Sequence, residues 1–187
     1  PGKIVPMLRG CGEGRAVAET SDQPVVMAPQ RSVWNRIEEL AEIVRSASRV
    51  VPAGGMTWLP ETTDQIVSTT GLDQIIEHEP ADLIAVAQAG VKLSDFNAKL
   101  AENGQWLPLD PPDDGRATLG GVVATGLGGA QQFGYARPRG SVIGMKVVLA
   151  DGSVIKAGGR VVKNVAGYDL CKLFTGSYGT LGIIVEL

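Results

Sequence analysis

Glycine is distributed in this chain in a way that few folds can use. Nine of the 25 glycines fall between Gly115 and Gly144, and two further clusters, Gly54-Gly55 and Gly176/Gly179/Gly182, each adjoin an apolar run. Glycine beside a strand lets another backbone or a ligand approach closely, because no Cβ intervenes. Low complexity would also enrich glycine. Here, however, Val122, Val123, Leu127, Phe133 and Val142 interrupt the long run, as expected of an ordered segment packed near something bulky. The constraint is sharpest in the last 25 residues. A short helix expected over Tyr168–Phe174 runs into Gly176, Ser177 and Gly179, and an apolar strand begins at Leu181.

The flanking sequence supplies the frame. Ser32 reads as the cap of a helix with Val33, Ile37, Leu40, Ala41 and Val44 on one face, followed by a strand at Arg49–Pro52. With a short strand at Val25–Met27, this order predicts a parallel βαβ unit. Asp73–Glu79 and Leu83–Ala89 read as strands joined by a turn at Pro80, and Ser94 as the cap of a second helix carrying Phe96 and Leu100 and ended by Gly104. Asp151-Gly152, between apolar runs at Met145–Ala150 and Ser153–Ala157, is a hairpin signal. The expected fold is α+β: a small parallel βαβ subdomain over residues 1–75, then a larger, mainly antiparallel sheet with helices over residues 76–187. Gly10, Gly12 and Gly14 lack the preceding strand and following Lys-Ser/Thr of a phosphate loop and read as an irregular loop.

Composition excludes several classes. A net charge of −3 gives no basis for binding nucleic acid or an anionic membrane. No apolar run approaches a bilayer span, so direct membrane insertion is not expected. One histidine and two distant cysteines, Cys11 and Cys171, cannot supply a zinc site or a Ser/His/Asp triad, and no metal is expected. The cysteines read as free thiols, Cys171 as a small core residue.

Three segments converge on one chemistry. Ala53-Gly54-Gly55-Met56-Thr57-Trp58 can fold as a tight loop after a strand, with its amides turned inward around a pyrophosphate. Thr118, Gly120 and Gly121 open a short helix, whose N–H groups and dipole would favour a diphosphate. The third is Gly176–Ile184. Each alone reads as a tight turn. Together they offer the separate small-residue surfaces that a dinucleotide needs.

In full, the motifs are PAGGMTW from Pro52, LPLDPP over Leu107–Pro112, ATLGGVVA over Ala117–Ala124, IGMKVVLADG over Ile143–Gly152, and KNVAGYDL over Lys163–Leu170 before GSYGTLGI. From about Pro24 onward the chain resembles the FAD-binding domain of the vanillyl-alcohol oxidase and p-cresol methylhydroxylase type, and within it the FAD-binding subunit of glycolate oxidase. The resemblance implies FAD lying extended between two subdomains. It implies main-chain contacts to the diphosphate from Gly54, Gly55, Met56 and Thr57 and from Thr118, Leu119, Gly120 and Gly121. It places Gly182 and Ile184 at the adenine end, with Ala53, Trp58, Pro111, Ala124, Thr125 and Gly179 also around the cofactor. Met56 stands where relatives carry a third glycine, Trp58 where they carry a smaller or polar residue, and Gly140 and Ile143 where they often carry Asp and Leu.

The residues that might do chemistry each have two readings. Lys163, Tyr168 and Asp169 could tune a flavin or polarise a substrate; alternatively Asp169 caps a helix and Lys163 is solvated. Arg137 and Arg139 could neutralise a diphosphate or a carboxylate, or lie in a solvated loop. His78 reads as a surface residue. No histidine or cysteine lies in Pro52–Trp58 or Gly115–Gly129, so FAD is expected to be held non-covalently. The resemblance thus implies a flavin-dependent oxidoreductase oxidising a small 2-hydroxy acid, glycolate or D-lactate, by hydride transfer to FAD. The substrate-bearing domain is expected to lie outside these residues, and the catalytic residues are left unassigned. The alternatives are a non-catalytic FAD-binding subunit of a multi-subunit oxidase, and a glycine-rich interaction module without nucleotide. Other subunits are expected as partners. The expected location is the cytoplasm, with any attachment to the inner membrane made peripherally through those partners.

Overall fold

The computed structural model describes residues 33–57, 64–135, 137–159 and 168–187. Val25–Met27, the Gly10–Gly14 loop, Ser32, Cys11, Trp58 and Lys163 lie outside them. Helix α1 spans Val33–Ser46, and the buried side chains of Ile37, Leu40, Ala41 and Val44 recur at helical spacing along it. It leads into β1, Val50–Ala53, which pairs in parallel with β2, Gln65–Ser68. The expected pairing with Val25–Met27 lies outside the described residues; the described partner of β1 is a strand that sequence reading missed. Gln65-Ile66-Val67-Ser68 is too short and too mixed for an alternation to show.

The antiparallel part follows expectation closely. β3, Ile75–Glu79, and β4, Ile84–Ala87, form a hairpin. β5, Gly144–Val148, pairs with β6, Val154–Gly158, across Asp151-Gly152, and on its other side with β7, Ile183–Glu186. Asp151 closes that turn by accepting from the Ser153 N–H at 2.8 Å. The two sheets are stitched together where Ala87 and Leu187 exchange both N–H···O bonds at 2.9 Å and the Ala89 N–H donates to Val185. Backbone pairing therefore continues in the order β3-β4-β7-β5-β6.

Helix α2, Leu93–Ala101, buries Leu93, Phe96 and Leu100. Its N-cap position is Lys92, not Ser94, whose hydroxyl bonds to Asp95. The reason is that the chain before α2 is paired in extended form. Lys92 lies opposite Thr118, and the Leu93 N–H donates to the Ala117 carbonyl, so that amide is satisfied without a side-chain cap. Three further helices follow: α3, Leu119–Thr125; α4, Pro138–Ser141; and α5, Leu170–Phe174.

Strands β5 and β7 are buried on both faces, which explains their near-continuous apolar sequence. On one face Val148, Ile183 and Val185 pack with Leu40, Val44, Val50 and Val67 of α1, β1 and β2. On the other, Met145, Val147 and Ile184 pack with Val123, Cys171 and Phe174 of α3 and α5. A third cluster joins α2 to the start of α3 through Phe96, Leu100, Leu109 and Leu119. The first core contains residues from both sides of the division expected near residue 75.

At Gly120, α3 comes close to the chain just after β4. A Cβ there would lie 2.6 Å from the Ala89 Cβ and 2.9 Å from its carbonyl oxygen, while the Gly120 N–H donates to that same carbonyl at 2.8 Å. Gly120→Ala therefore forces β4 away from α3 and should destabilise the domain by about 1–3 kcal/mol, as overpacking does. A denaturant midpoint unchanged from the wild type would contradict this packing.

Candidate FAD site

A groove of about 780 Å³, its open mouth included, lies between the three glycine segments. Ala53, Gly54, Gly55, Met56 and Thr57 form one wall. Pro111, Thr118, Gly120, Gly121, Ala124 and Thr125 form the second, and Gly179, Gly182 and Ile184 the third. Pro52, Thr69, Pro112, Ala117, Val122, Leu127, Tyr178 and Ile183 complete the lining. The structure thus brings together residues that are up to 132 positions apart in sequence (Pro52 to Ile184). Leu119 is the exception among the described candidates. Its side chain lies in the α2 core and its N–H donates to the Val91 carbonyl at 2.9 Å.

The segments close on each other first. A Cβ on Gly54 would overlap the Thr118 hydroxyl, and one on Gly55 would overlap the Arg116 carbonyl. Gly179 lies against the Pro52 ring in the same way. The third segment caps the end of α3, with the Gly176 N–H donating to Val123 at 3.0 Å and the Tyr178 N–H to Ala124 at 2.7 Å. Gly54, Gly55 and Gly179 are therefore small because protein packs against them, and the groove is what remains between the segments. Gly121 differs. It is helical, and a Cβ there would meet only the Thr118 hydroxyl, at 3.1 Å.

At the N-terminus of α3, where a diphosphate is expected, the first amides are paired within the protein. The Leu119 N–H is held by Val91, the Gly120 N–H by Ala89, and the Gly121 N–H by the Thr118 hydroxyl at 3.2 Å. Among the described residues, the N–H groups of Gly54, Gly55, Met56 and Thr57 have no backbone acceptor. The first loop, not the helix, is thus where amides are available. No lining residue carries a charge. The nearest cation is Arg116, beside Gly55, and it is taken up by Asp114 at 2.7 Å. That hydrogen-bonded guanidinium holds the Asp114 carboxyl below the usual carboxylate range. Asp113 shapes this approach by accepting from the Arg116 and Ala117 N–H groups at 2.9 and 2.8 Å.

The remaining candidates lie elsewhere. Asp169 caps α5, accepting from the Lys172 N–H at 3.2 Å and pairing with its ammonium at 2.8 Å. Those Lys172 contacts lower its pKa, with Arg139 adding a smaller effect. Tyr168 is exposed, and Arg137 and Arg139 are exposed on and just before α4, outside the groove lining. Cys171 is buried, which raises its thiol pKa. His78 is half-buried, with Nε2 2.9 Å from the Gln105 side-chain oxygen, at the rim of a second, apolar cavity bounded by β4, α2 and Leu187. Among the described residues there is no group of three His, Cys, Asp or Glu able to hold a metal, and no helix long and apolar enough to cross a membrane.

Strands, cleft and available amides define a nucleotide-binding domain of mixed α/β architecture. Its family follows from comparison. The profile of a family described as an FAD binding domain matches residues 33–158, and the chain belongs to that family. It is 41% identical over 114 residues to glycolate oxidase subunit GlcE of Escherichia coli, covering 60% of this chain and 33% of that protein. It is 35% identical over 170 residues to glycolate oxidase subunit GlcD of Bacillus subtilis, covering 86% and 35%. It is 34% identical over 189 residues to the mitochondrial D-2-hydroxyglutarate dehydrogenase of Rattus norvegicus, covering 96% and 32%. The chain spans about a third of the length of these relatives. The fold is shared with an alkyldihydroxyacetonephosphate synthase structure at a TM-score of 0.66 and 23% identity, over 81% of this chain and 29% of that one.

Met56 occupies a position whose backbone suits glycine. Its φ is 55°, in the left-handed region, where a residue with a Cβ loses roughly 1–2 kcal/mol. Glycine relieves that strain, although its freedom in the unfolded chain takes back about 0.5–1 kcal/mol. Met56→Gly should therefore leave stability unchanged or raise it by up to about 1 kcal/mol, whereas β-branched Met56→Ile should lower it by more than 1 kcal/mol. Thermal denaturation of both variants checks this. Destabilisation by glycine and tolerance of isoleucine would contradict the left-handed loop.

Proposed function

We propose that this chain is the flavin-holding part of an oxidoreductase acting on a small 2-hydroxy acid, glycolate or D-lactate, and that FAD lies in the groove between the three segments. The observation that carries the reading is the convergence of those segments on one uncharged cleft with four amides available along Gly54–Thr57. Backbone amides turned toward one site suit a diphosphate. Thr118 and Gly121 face the same space, and Gly182 and Ile184 line its far wall. The lining has no histidine or cysteine, which supports non-covalent attachment. The substrate class rests on the glycolate oxidase and hydroxyglutarate dehydrogenase relatives. The word "subunit" in two of their names supports assembly with further subunits. We retain the division near residue 75 as the boundary of two FAD subdomains.

When bound, FAD supplies a two-electron acceptor for hydride transfer. The chain's own contribution is binding and orientation. The amides of Gly54–Thr57 would hold the phosphates, and the Pro52, Ile183 and Ile184 side chains would line the site beside them. Gly121 leaves the space that the diphosphate needs, so Gly121→Val should lower FAD affinity at least 100-fold while the far-ultraviolet circular dichroism stays native. Full FAD occupancy in that variant would place the cofactor elsewhere.

Among the described residues, the groove lining holds no titratable side chain other than Tyr178, and so no carboxylate or imidazole base and no cation for a substrate carboxylate. The 187 residues loaded with FAD should therefore show no rapid, saturable bleaching of the flavin band on anaerobic mixing with glycolate or D-lactate. Rapid bleaching by either acid would show that the catalytic groups are already present within these residues.

A further inference from the structure

Tyr178 was passed over in the sequence because it stands among glycines, yet it is the one aromatic side chain lining the groove among the described residues. Its backbone is held in an unusual state. The φ is 55°, in the left-handed region. That conformation is fixed from three directions. The Tyr178 N–H donates to Ala124 at 2.7 Å, the preceding carbonyl of Ser177 accepts from both the N–H and the hydroxyl of Thr180 at 3.0 and 2.8 Å, and the following Gly179 lies against the Pro52 ring. A strained residue persists only where its surroundings over-determine it. Here the consequence is a tyrosine whose backbone is fixed at the groove wall.

The chemistry around that ring selects its partner. Pro52, Ala53, Gly179, Ile183 and Ile184 line the same groove as Tyr178, uncharged and for the most part buried. A phosphate gains nothing there, whereas a flat heteroaromatic ring gains a stacking face. FAD has two flat systems, one on each side of its diphosphate. The tricycle must remain open to a second reactant. The purine needs no open face, which suits a wall where Ala53, Gly179, Ile183 and Ile184 are buried.

We infer that Tyr178 stacks on the purine of the dinucleotide and is the residue by which this domain prefers adenine dinucleotides to flavin mononucleotide. The inference rests on the FAD reading of the groove and adds the residue that sets selectivity. Isothermal titration of the wild type, Tyr178→Phe, Tyr178→Ala and Tyr178→Gly with FAD, ADP and FMN tests it. The glycine variant relieves the left-handed backbone and so preserves the fold if the alanine variant does not. The wild type should bind FAD and ADP, and FMN more weakly than FAD. Tyr178→Phe should bind all three within about twofold of the wild type. Loss of the ring should weaken FAD and ADP by about 5- to 150-fold, the range expected for one stacked base, and leave FMN unchanged. Unchanged ADP and FAD affinity in the variants, or an equal loss for FMN, would overturn the assignment. So would a wild type that binds FMN as tightly as FAD. A wild type that binds no flavin at all would instead overturn the reading of the groove itself.

Discussion

Gly55 lies so close to the Arg116 carbonyl, and Gly54 to the Thr118 hydroxyl, that no side chain fits between the first loop and the entrance of α3. Everything else about the site depends on this contact. It brings a loop that follows a parallel strand onto a helix that follows an antiparallel one. The third segment completes the closure by donating two amides to the carbonyl end of α3 and setting Gly179 against Pro52. The cleft is the space these contacts leave over, and glycine and other small residues make up much of its wall because the segments pack so closely.

That origin determines the chemistry available. A cleft walled by glycine, alanine, proline and threonine carries no charge, so phosphate binding falls to peptide dipoles. The amides of α3 cannot serve, because pairing with Ala89 and Val91 takes up two of them and Thr118 takes the third. The loop after β1 is left with that role. Its conformation has a strain cost at Met56, where φ is positive and the side chain is not glycine. Strain, available amides and the open face of Gly121 all lie on the same cleft. That coincidence favours a ligand site over a set of tight turns.

Much of this was legible in the sequence, for physical reasons. Asp151-Gly152 between apolar runs fixed the β5–β6 hairpin, and Thr118 before Leu119 fixed the start of α3, because turn and cap chemistry are local. The order of the glycine segments located the groove. What stayed hidden was non-local. β2 is four residues long and is specified by its partner β1 rather than by its own pattern. Ser94 looked like a cap, but extended pairing between Lys92 and Thr118 satisfies the start of α2 instead. The glycines carry a second reason that the sequence does not show: Gly54, Gly55 and Gly120 make room for protein, whereas a Cβ on Gly121 would meet only the Thr118 hydroxyl. Tyr178 was in view within GSYGT, but nothing in one sequence marks a positive φ at a tyrosine.

The central claim is that FAD occupies the cleft between the three segments and not the larger apolar cavity behind α3. Hydrogen–deuterium exchange with and without FAD compares the two directly. Slowed exchange in peptides covering Pro52–Thr57, Ala117–Thr125 and Tyr178–Ile184, with Ile84–Ala87 and Phe96–Leu107 unchanged, is the predicted result. Protection of Ile84–Ala87 and Phe96–Leu107 without change at Pro52–Thr57 would contradict it.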